Sequence, residues 1–252
     1  MASRSIARTD PLAPLRGVAR LLALSGAILV YVVLHFATLA IGRRSHWPRR
    51  FLAAVARISG AEVEVRGSPL RTEVLFVANH TSWLDIPIVA GATGTAFVAK
   101  SSLRHWPLVG WLADLNNTVY VDRGDRSGVH GQVGSVREAL ARHQPIAIFP
   151  EGTTSAELLP FKPSLLEVVA PPPRTIQVQP LRLDYGAALP LAWLGEEPAL
   201  SNIWRVLTHR RFVIILNCLE PFDPATFGDR KAIAAQARAR IVSGSAWGER
   251  GV

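Results

Sequence analysis

The longest apolar run of the chain lies near the N-terminus and covers residues 21–41, where no Asp, Glu, Lys or Arg occurs. As an α-helix this run would extend about 31 Å, close to the thickness of the hydrocarbon core of a bilayer. It is too long for the apolar part of a signal peptide, and no clear small-residue cleavage site follows it. The pattern predicts a retained membrane anchor, with a buried core helix as the alternative.

A second helical pattern covers residues 47–58, where apolar side chains recur at helical spacing and arginines occupy the other positions. Such a helix lies either in a membrane interface or on the core of a domain, and the sequence leaves both open. Arginines flank the anchor on both sides: Arg4, Arg8, Arg16 and Arg20 before it, and Arg43, Arg44, Arg49, Arg50 and Arg57 after it. This bias favours a cytoplasmic position for the bulk of the chain.

From residue 60 onward, short runs rich in Val, Ile and Phe alternate with segments of helical periodicity. Strands are predicted at 63–66, 74–78, 95–99, 118–121, 146–149, 175–183 and 211–219, and helices near Leu84, at Pro107, over 132–142 and over 231–242. The pattern predicts an α/β fold, a single domain (60–252) with a central mixed sheet flanked by helices. An N-terminal part (1–59) holds the basic segment, the anchor and the interfacial helix. The stretch 185–209 has no assignable pattern.

Composition narrows the classes of protein. Hydrophobic residues make up 49% of the chain and charged residues 19%, which is typical of a folded domain with some lipid-facing surface. The net charge of +9 suits anionic lipid or nucleic acid. No aromatic-and-basic RNA-binding pattern or zinc-finger spacing occurs, so we expect no nucleic-acid partner. The single cysteine, Cys218, lies in an apolar run and is expected to be a buried thiol without an internal disulfide.

Polar residues follow several predicted strands, and the first cluster contains His80 and Asp85. Positions five apart do not share a face of one helix, so the pair meets only if His80 lies in a turn and Asp85 in the first helical turn. The carboxylate would then hold one ring nitrogen and leave the other free to accept a proton. Alternatively, the two are a loop histidine and a helix-start aspartate. Three residues are candidates for the helix cap: Asn79, Thr81 and Ser82. The other histidines are expected at the protein surface or the membrane interface: His35, His46, His105, His130, His143 and His209.

Two further clusters carry charge. Lys100 and Arg123 stand at strand ends, where two cations would bind an anionic headgroup or simply remain solvated. Residues 149–155 combine an X-Pro step with a glycine, which predicts a tight turn that exposes backbone N–H groups. There Glu151 could accept from a substrate hydroxyl and Thr153 could donate to a phosphate oxygen. A plain polar turn would explain the same composition.

Several enzyme classes lack their motifs. No Gly-x-Ser-x-Gly elbow of a serine hydrolase occurs, nor a Walker-type phosphate loop or a Gly-x-Gly-x-x-Gly fingerprint. By contrast, four segments occur in order: Asn-His-x-x-x-x-Asp at 79–85, Lys-x-x-Leu-x-x-x-Pro-x-x-Gly at 100–110, Val-Asp-Arg at 121–123 and Phe-Pro-Glu-Gly-Thr at 149–153. Together they resemble the glycerolipid acyltransferase family, which includes 1-acylglycerol-3-phosphate acyltransferase. The resemblance covers about residues 74–180.

The resemblance implies that His80 deprotonates a lysolipid hydroxyl and that Asp85 orients the imidazole. The hydroxyl would attack an acyl thioester of coenzyme A or acyl carrier protein directly, with no covalent acyl-enzyme, no cofactor and no metal. It also implies a set of residues that bind the acceptor headgroup and glycerol: Lys100, Arg123, Glu151, Gly152 and Thr153. The expected partners are membrane lipids, the lysolipid and the acyl donor. The expected location is the bacterial inner membrane, with the catalytic domain on the cytoplasmic side.

One position departs from the family pattern. Many members that use a phosphate acceptor carry an arginine directly after Glu-Gly-Thr, whereas this chain has Thr154. The Glu-Gly-Thr-Thr form and the following Leu-Pro-Phe-Lys-Pro-Ser-Leu also look like members that acylate lyso-ornithine lipid. We therefore expect lysophosphatidic acid or a related lysolipid as acceptor, with lyso-ornithine lipid as the alternative. A non-catalytic lipid-binding protein would be expected to have lost one of the catalytic positions, and all of them are present.

Overall fold

The computed structural model describes residues 10–121, 129–141, 144–172 and 175–244. The helices in these ranges are α1 (Ala13–Ala40), α2 (Trp47–Ile58), α3 (Asp85–Thr93), α4 (Pro107–Leu115), α5 (Val129–Ala141), α6 (Ala199–Thr208) and α7 (Arg230–Ser243). The strands are β1 (Ala61–Arg66), β2 (Val74–Ala78), β3 (Ala96–Lys100), β4 (Val119–Val121), β5 (Ile146–Ile148), β6 (Gln177–Asp184) and β7 (Phe212–Cys218). Helix α1 begins at residue 13 and not at residue 21, where the predicted apolar run begins; the other predicted bounds are confirmed within about three residues. Within 185–209 the chain forms a 3-10 helix, Gly186–Leu191, and then α6.

The strands of the described residues form one sheet in the order β1-β7-β6-β2-β5-β3-β4. Neighbouring strands are parallel except β6 and β7, which pair antiparallel, so the predicted mixed sheet is confirmed. The central strand β2 pairs with β5 on one side and β6 on the other. All its residues are buried because helices cover both faces of the sheet.

Alternate residues of β2 belong to two separate hydrophobic cores. Phe76 and Ala78 pack with Leu84 and other residues of the α3 side. Leu75 and Val77 pack on the opposite face with residues of α5 and α7. This alternation is the period of two that a strand imposes on its side chains. The alternation therefore determines the face of the sheet toward which each side chain points at the end of β2.

Helix α2 packs on the domain, which is one of the two positions that the sequence left open. It lies between α1 and α3. A Cβ added at Gly91 of α3 would come within 2.8 Å of Ala53, so the two helix backbones are in close contact. The Arg49 side chain donates to the carbonyl oxygens of Gly91 and Ala92 at the end of α3, which offsets unpaired carbonyls at a helix C-terminus.

Helix α1 is the only helix of the described residues that is long and apolar enough to cross a membrane. It also contacts the domain at two separate places. Near its start, Gly17 lies against Trp204 of α6, and near its end Tyr31 packs against Trp47 and Phe51 of α2. The apolar residues between and around these contacts are largely exposed, among them Leu22, Leu29, Val33 and Phe36.

Two arginines before the anchor bind the protein itself. Arg16 donates two hydrogen bonds to the Thr208 carbonyl oxygen, and Arg20 donates to those of Leu207 and His209. These carbonyls end α6, where cations are favourable. The surface position expected for His35 was wrong: the chain turns back after α1, so His35 is 8% exposed with its Nδ1 2.8 Å from the Ser45 hydroxyl.

Candidate active site

Three polar segments meet at one edge of the sheet. β2 pairs parallel with β5, and β5 pairs parallel with β3, so the carboxyl ends of the three strands lie side by side. His80 follows β2, Glu151 follows β5, and Lys100 is the last residue of β3. Loops beyond the carboxyl ends of parallel strands are where α/β proteins place binding and catalytic groups.

His80 and Asp85 are in direct contact. Nδ1 of His80 lies 2.8 Å from Oδ2 of Asp85, and α3 begins at Asp85, as the spacing required. A carboxylate oxygen only accepts, so Nδ1 carries the proton and Nε2 is the acceptor nitrogen of the ring. The His80 side chain is 18% exposed and that of Asp85 is fully buried. The pair can therefore take a proton from a bound group at Nε2.

The Asp85 carboxylate accepts more than one hydrogen bond on Oδ2. The backbone N–H groups of Thr81 and Ser82 donate to this oxygen at 2.6 and 2.9 Å, beside the His80 contact. The predicted side-chain cap on α3 was wrong: the residue before the helix is Leu84, which makes no side-chain cap bond. Instead, the side chain of Asp85, the first residue of the helix, accepts from the N–H groups of Thr81 and Ser82. This ties the turn that carries His80 to the carboxylate that orients it.

Two phenylalanines support the imidazole. The ring of Phe149 stacks on that of His80 with centroids 4.1 Å apart and an angle of 17° between the planes. Phe97 of β3 stacks on Phe149 in turn, at 5.8 Å and 6°. The three rings form a column across β2, β5 and β3, so ring rotation of His80 would cost stacking contact.

The third segment holds the backbone of His80. Glu151 Oε1 accepts from the His80 N–H at 2.7 Å, and Oε2 accepts from the Leu159 N–H at 2.8 Å. The second backbone polar group of His80, its carbonyl oxygen, accepts from the Ser155 N–H at 2.8 Å. Glu151 is 2% exposed; burial raises its pKa, and the hydrogen bonds from Leu159 and His80 oppose that shift. The buried Glu151 side chain thus connects the loop after β2, which carries His80, to the loop after β5.

Comparison with known proteins agrees with this geometry. A family model described as Acyltransferase matches residues 62–183. A lyso-ornithine lipid O-acyltransferase of Pseudomonas aeruginosa is 33% identical over 79% of this chain and 78% of its own length. The chain belongs to the acyltransferase family. It is an enzyme of the 1-acylglycerol-3-phosphate acyltransferase type, and a protein of that name from Neisseria gonorrhoeae is 29% identical over 64% of each chain.

A solved structure shares the fold of this acyltransferase. The 1-acyl-sn-glycerophosphate acyltransferase PlsC of Thermotoga maritima aligns with a TM-score of 0.70 and 22% identity, covering 95% of this chain and 99% of its own. The alignment extends over both the sheet and the N-terminal helices. It supports the α/β architecture with an apolar helix in front of the catalytic domain.

The acyltransferase brings some predicted site residues together and leaves others apart. His80, Asp85 and Glu151 are joined by hydrogen bonds. Lys100 and Thr153 are exposed on neighbouring loops, with no hydrogen bond to the pair described above. Gly152 has φ of +78°, the left-handed conformation that glycine adopts without strain, so the predicted tight turn is confirmed. The last predicted residue, Arg123, lies outside the described residues.

The segment that sequence patterns left unassigned completes the site of the acyltransferase. The Tyr185 hydroxyl donates to Asp85 Oδ1 at 2.6 Å. Further on, the Trp193 N–H donates to the Thr81 carbonyl oxygen, and the Thr154 hydroxyl donates to the Trp193 carbonyl oxygen at 2.5 Å. Neither tyrosine nor tryptophan stands in a recognisable motif. The available signal was Tyr185 two residues after the predicted strand 175–183, but its use required knowing that β6 lies beside β2.

Proposed function

We propose that this acyltransferase moves a fatty acyl group from an acyl thioester onto the hydroxyl of a lysolipid, with His80 as general base. The contact between His80 Nδ1 and Asp85 Oδ2 carries the proposal, because it leaves Nε2 to accept the hydroxyl proton. As the acceptor oxygen attacks the thioester carbonyl, the C–O bond forms and the C–S bond breaks. The proton on the imidazole then passes to the leaving thiolate.

The donor in this proposal is acyl-coenzyme A or acyl carrier protein, both of which present the same kind of acyl thioester. It is a substrate, and the proposed step requires no resident cofactor or metal. Lys100, Gly152 and Thr153 on the neighbouring loops, and Arg123, are the proposed contacts to the acceptor headgroup and glycerol. Glu151 keeps that proposed role beside its bonds to the backbone of His80 and Leu159, because each carboxylate oxygen has a second lone pair.

For the acceptor we propose lyso-ornithine lipid. The Pseudomonas relative with that name matches 79% of this chain, whereas the Neisseria relative named for the phosphate acceptor matches 64%. The position where phosphate-using members carry arginine holds Thr154, whose hydroxyl bonds to the Trp193 carbonyl. Lysophosphatidic acid is the second candidate, favoured by the exposed cation Lys100 at the end of β3.

Exchange of Thr154 for arginine should move the acceptor preference toward phosphate. We expect wild type to acylate lyso-ornithine lipid faster than lysophosphatidate. In Thr154→Arg the ratio of kcat/KM for lysophosphatidate over lyso-ornithine lipid should rise about tenfold, the worth of one charge-assisted hydrogen bond. Radiolabelled acyl transfer with purified protein and both acceptors side by side measures the ratio.

Thr154→Gln is the matched control for that experiment, since it adds length and polarity without charge. Its acceptor ratio should stay at the wild-type value. Faster acylation of lysophosphatidate by wild type would replace the proposed acceptor with the second candidate. An equal rise of the ratio in both variants would show that space, and not charge, controls the choice.

The apolar helix and the family together indicate membrane association. We propose that the exposed side of α1 is the attachment surface and that the catalytic domain faces the cytoplasm of a bacterium. The arginines on either side of the apolar run 21–41 support that side, though Arg16 and Arg20, in the first turns of α1, also bind carbonyl oxygens of the protein itself. Protease protection of the C-terminal end in sealed vesicles of known orientation tests it.

Charge on the exposed side of α1 should release the protein from membranes. Leu22, Leu29 and Val33 are 65–70% exposed and lie on one side of the helix. The triple substitution by lysine keeps the contacts of α1 with α2 and α6 but costs a few kcal/mol for each charge placed among lipid tails. We expect the triple variant to remain soluble after vesicle flotation while wild type floats.

A double variant, Val65→Lys with Val213→Lys, is the control for added charge. Both residues are exposed on the strands β1 and β7, outside α1 and outside the helices α2 and α6 that contact it. This variant should float with vesicles as wild type does. If the α1 variant also floats completely, the attachment surface lies elsewhere on the molecule.

A further inference from the structure

Tyr185 lies beside the proposed catalytic pair, in contact with Asp85. It directly follows β6, which pairs with β2, and it is 3% exposed. Its hydroxyl donates to Asp85 Oδ1 at 2.6 Å, and no motif of the chain includes it. A buried tyrosine could be ordinary core packing whose hydroxyl has found an acceptor. The distribution of hydrogen bonds over the two oxygens of Asp85 indicates a role of Tyr185 beyond core packing.

The two oxygens of Asp85 serve different partners. Oδ2 accepts from His80 Nδ1 and from two backbone N–H groups, while the bond to Oδ1 comes from Tyr185. Bonds on both oxygens fix the plane of the carboxylate, and therefore the direction from which Oδ2 meets the imidazole. Without the Tyr185 hydroxyl, a fully buried carboxylate oxygen would lose the partner seen here, which is unfavourable.

The Tyr185 hydroxyl remains a donor under ordinary conditions. Burial, followed by the neighbouring charge and hydrogen bond of Asp85, raises its pKa well above 10; a hydrogen bond from the Ser82 side chain acts in the opposite direction. Tyr185, Asp85 and His80 thus form a continuous chain of hydrogen bonds, and such chains strengthen each member through polarisation.

We propose that Tyr185 is a positioning residue, which holds the Asp85 carboxylate through Oδ1 and moderates the charge that this carboxylate presents to His80. The proposal rests on the proposed role of His80 as general base. Each donor on the carboxylate draws negative charge away from the bond to His80 Nδ1. Without the Tyr185 hydroxyl, Asp85 therefore attracts the imidazole proton more strongly, and its carboxylate is less well oriented.

Tyr185→Phe tests this with the loss of a single oxygen atom. We expect kcat to fall about tenfold, with the KM of both substrates changed less than about twofold, because the hydroxyl acts on the base and not on binding. The acid limb of the pH profile of kcat/KM should move to higher pH by about half a unit, since a protonated imidazole is favoured beside a stronger carboxylate.

Tyr120→Phe is the matched control. Tyr120 is half-buried, and its hydroxyl donates a hydrogen bond to the Gly110 carbonyl oxygen at 3.1 Å. Both variants should lose thermal stability, but only Tyr185→Phe should displace the pH profile. If the two variants lose stability alike and keep the wild-type profile, Tyr185 is a packing residue and the proposal fails.

A measurement without turnover separates this proposal from the proposed function. Titration of the His80 ring by NMR, in detergent-solubilised protein with isotope-labelled histidine, should move to higher pH in Tyr185→Phe and stay unchanged in Tyr120→Phe. Identical titrations overturn the role of Tyr185, whereas failure of the proposed function would appear as absent acyl transfer by wild type. If Tyr185→Phe does not fold, a fluorotyrosine at position 185 keeps the shape and makes the hydroxyl a stronger donor to Asp85, so the His80 titration should move to lower pH, and no shift would count equally against the proposal.

Discussion

His80→Ala should lower the rate of acyl transfer about 10³-fold or more while the protein remains folded and membrane-bound. General-base assistance is typically worth about 10²- to 10⁴-fold in rate, and no other described side chain occupies the position of the His80 ring. The Phe149 ring would lose its stacking partner, which is a modest cost at a side chain that is 18% exposed. Initial rates with saturating donor and acceptor, together with circular dichroism and flotation, measure the effect.

His46→Ala is the matched control, because His46 is exposed directly before α2 and away from the sheet edge. It should retain wild-type activity. If His80→Ala kept an activity near wild type, the assignment of the general base would be wrong, whatever the acceptor.

Asp85→Asn is expected to lower kcat by about 10²- to 10⁴-fold with little loss of structure. An amide can place its oxygen where Oδ2 accepts from His80 and its NH₂ group against the Tyr185 hydroxyl oxygen, so the shape is kept. The negative charge that stabilises a protonated imidazole is lost. The pH profile of kcat and a thermal melt, run on the same preparations, separate the two effects.

Asp85→Ala should add a loss of stability to the loss of rate. It leaves the N–H groups of Thr81 and Ser82 without their acceptor in a buried place, at about 1–3 kcal/mol each. Asp229→Ala is the control, since Asp229 also accepts from two backbone N–H groups, at the start of α7. Asp229→Ala should lower stability slightly, as loss of a helix cap does, and leave activity unchanged. Activity of Asp85→Asn within threefold of wild type would show that charge at this position is not used.

The strand and helix pattern predicted most of the fold because it depends on local periodicity. β2 and the start of α3 at Asp85 followed from an apolar run and a spacing argument, and both are confirmed. The spacing of His80 and Asp85 left open whether the two form a pair or are a loop histidine and a helix-start aspartate. The resemblance to the acyltransferases favoured the pair, and the structure shows the contact.

The features that the sequence did not predict depend on contacts between segments that are far apart in the sequence. Tyr185 reaches Asp85 from 100 residues away, and its place depends on the strand order of the sheet. Thr154 was recognised only as a missing arginine, while its bond to Trp193 required the course of a segment without periodicity. Arg16 was counted as a flanking charge, because nothing local shows that the end of α6 lies beside it.

The two contacts of α1 with the domain, near Gly17 and near Tyr31, are about 21 Å apart along the helix axis. This distance is about two thirds of the thickness of the apolar layer of a membrane. Lipid that covered the exposed side of α1 would also reach the adjoining surface of α6, where Leu200 is 80% exposed and Trp204 41%. With the proposed attachment surface, the domain would keep one depth and tilt in the lipid, and the proposed acceptor would arrive by lateral diffusion within the leaflet instead of by escape into water.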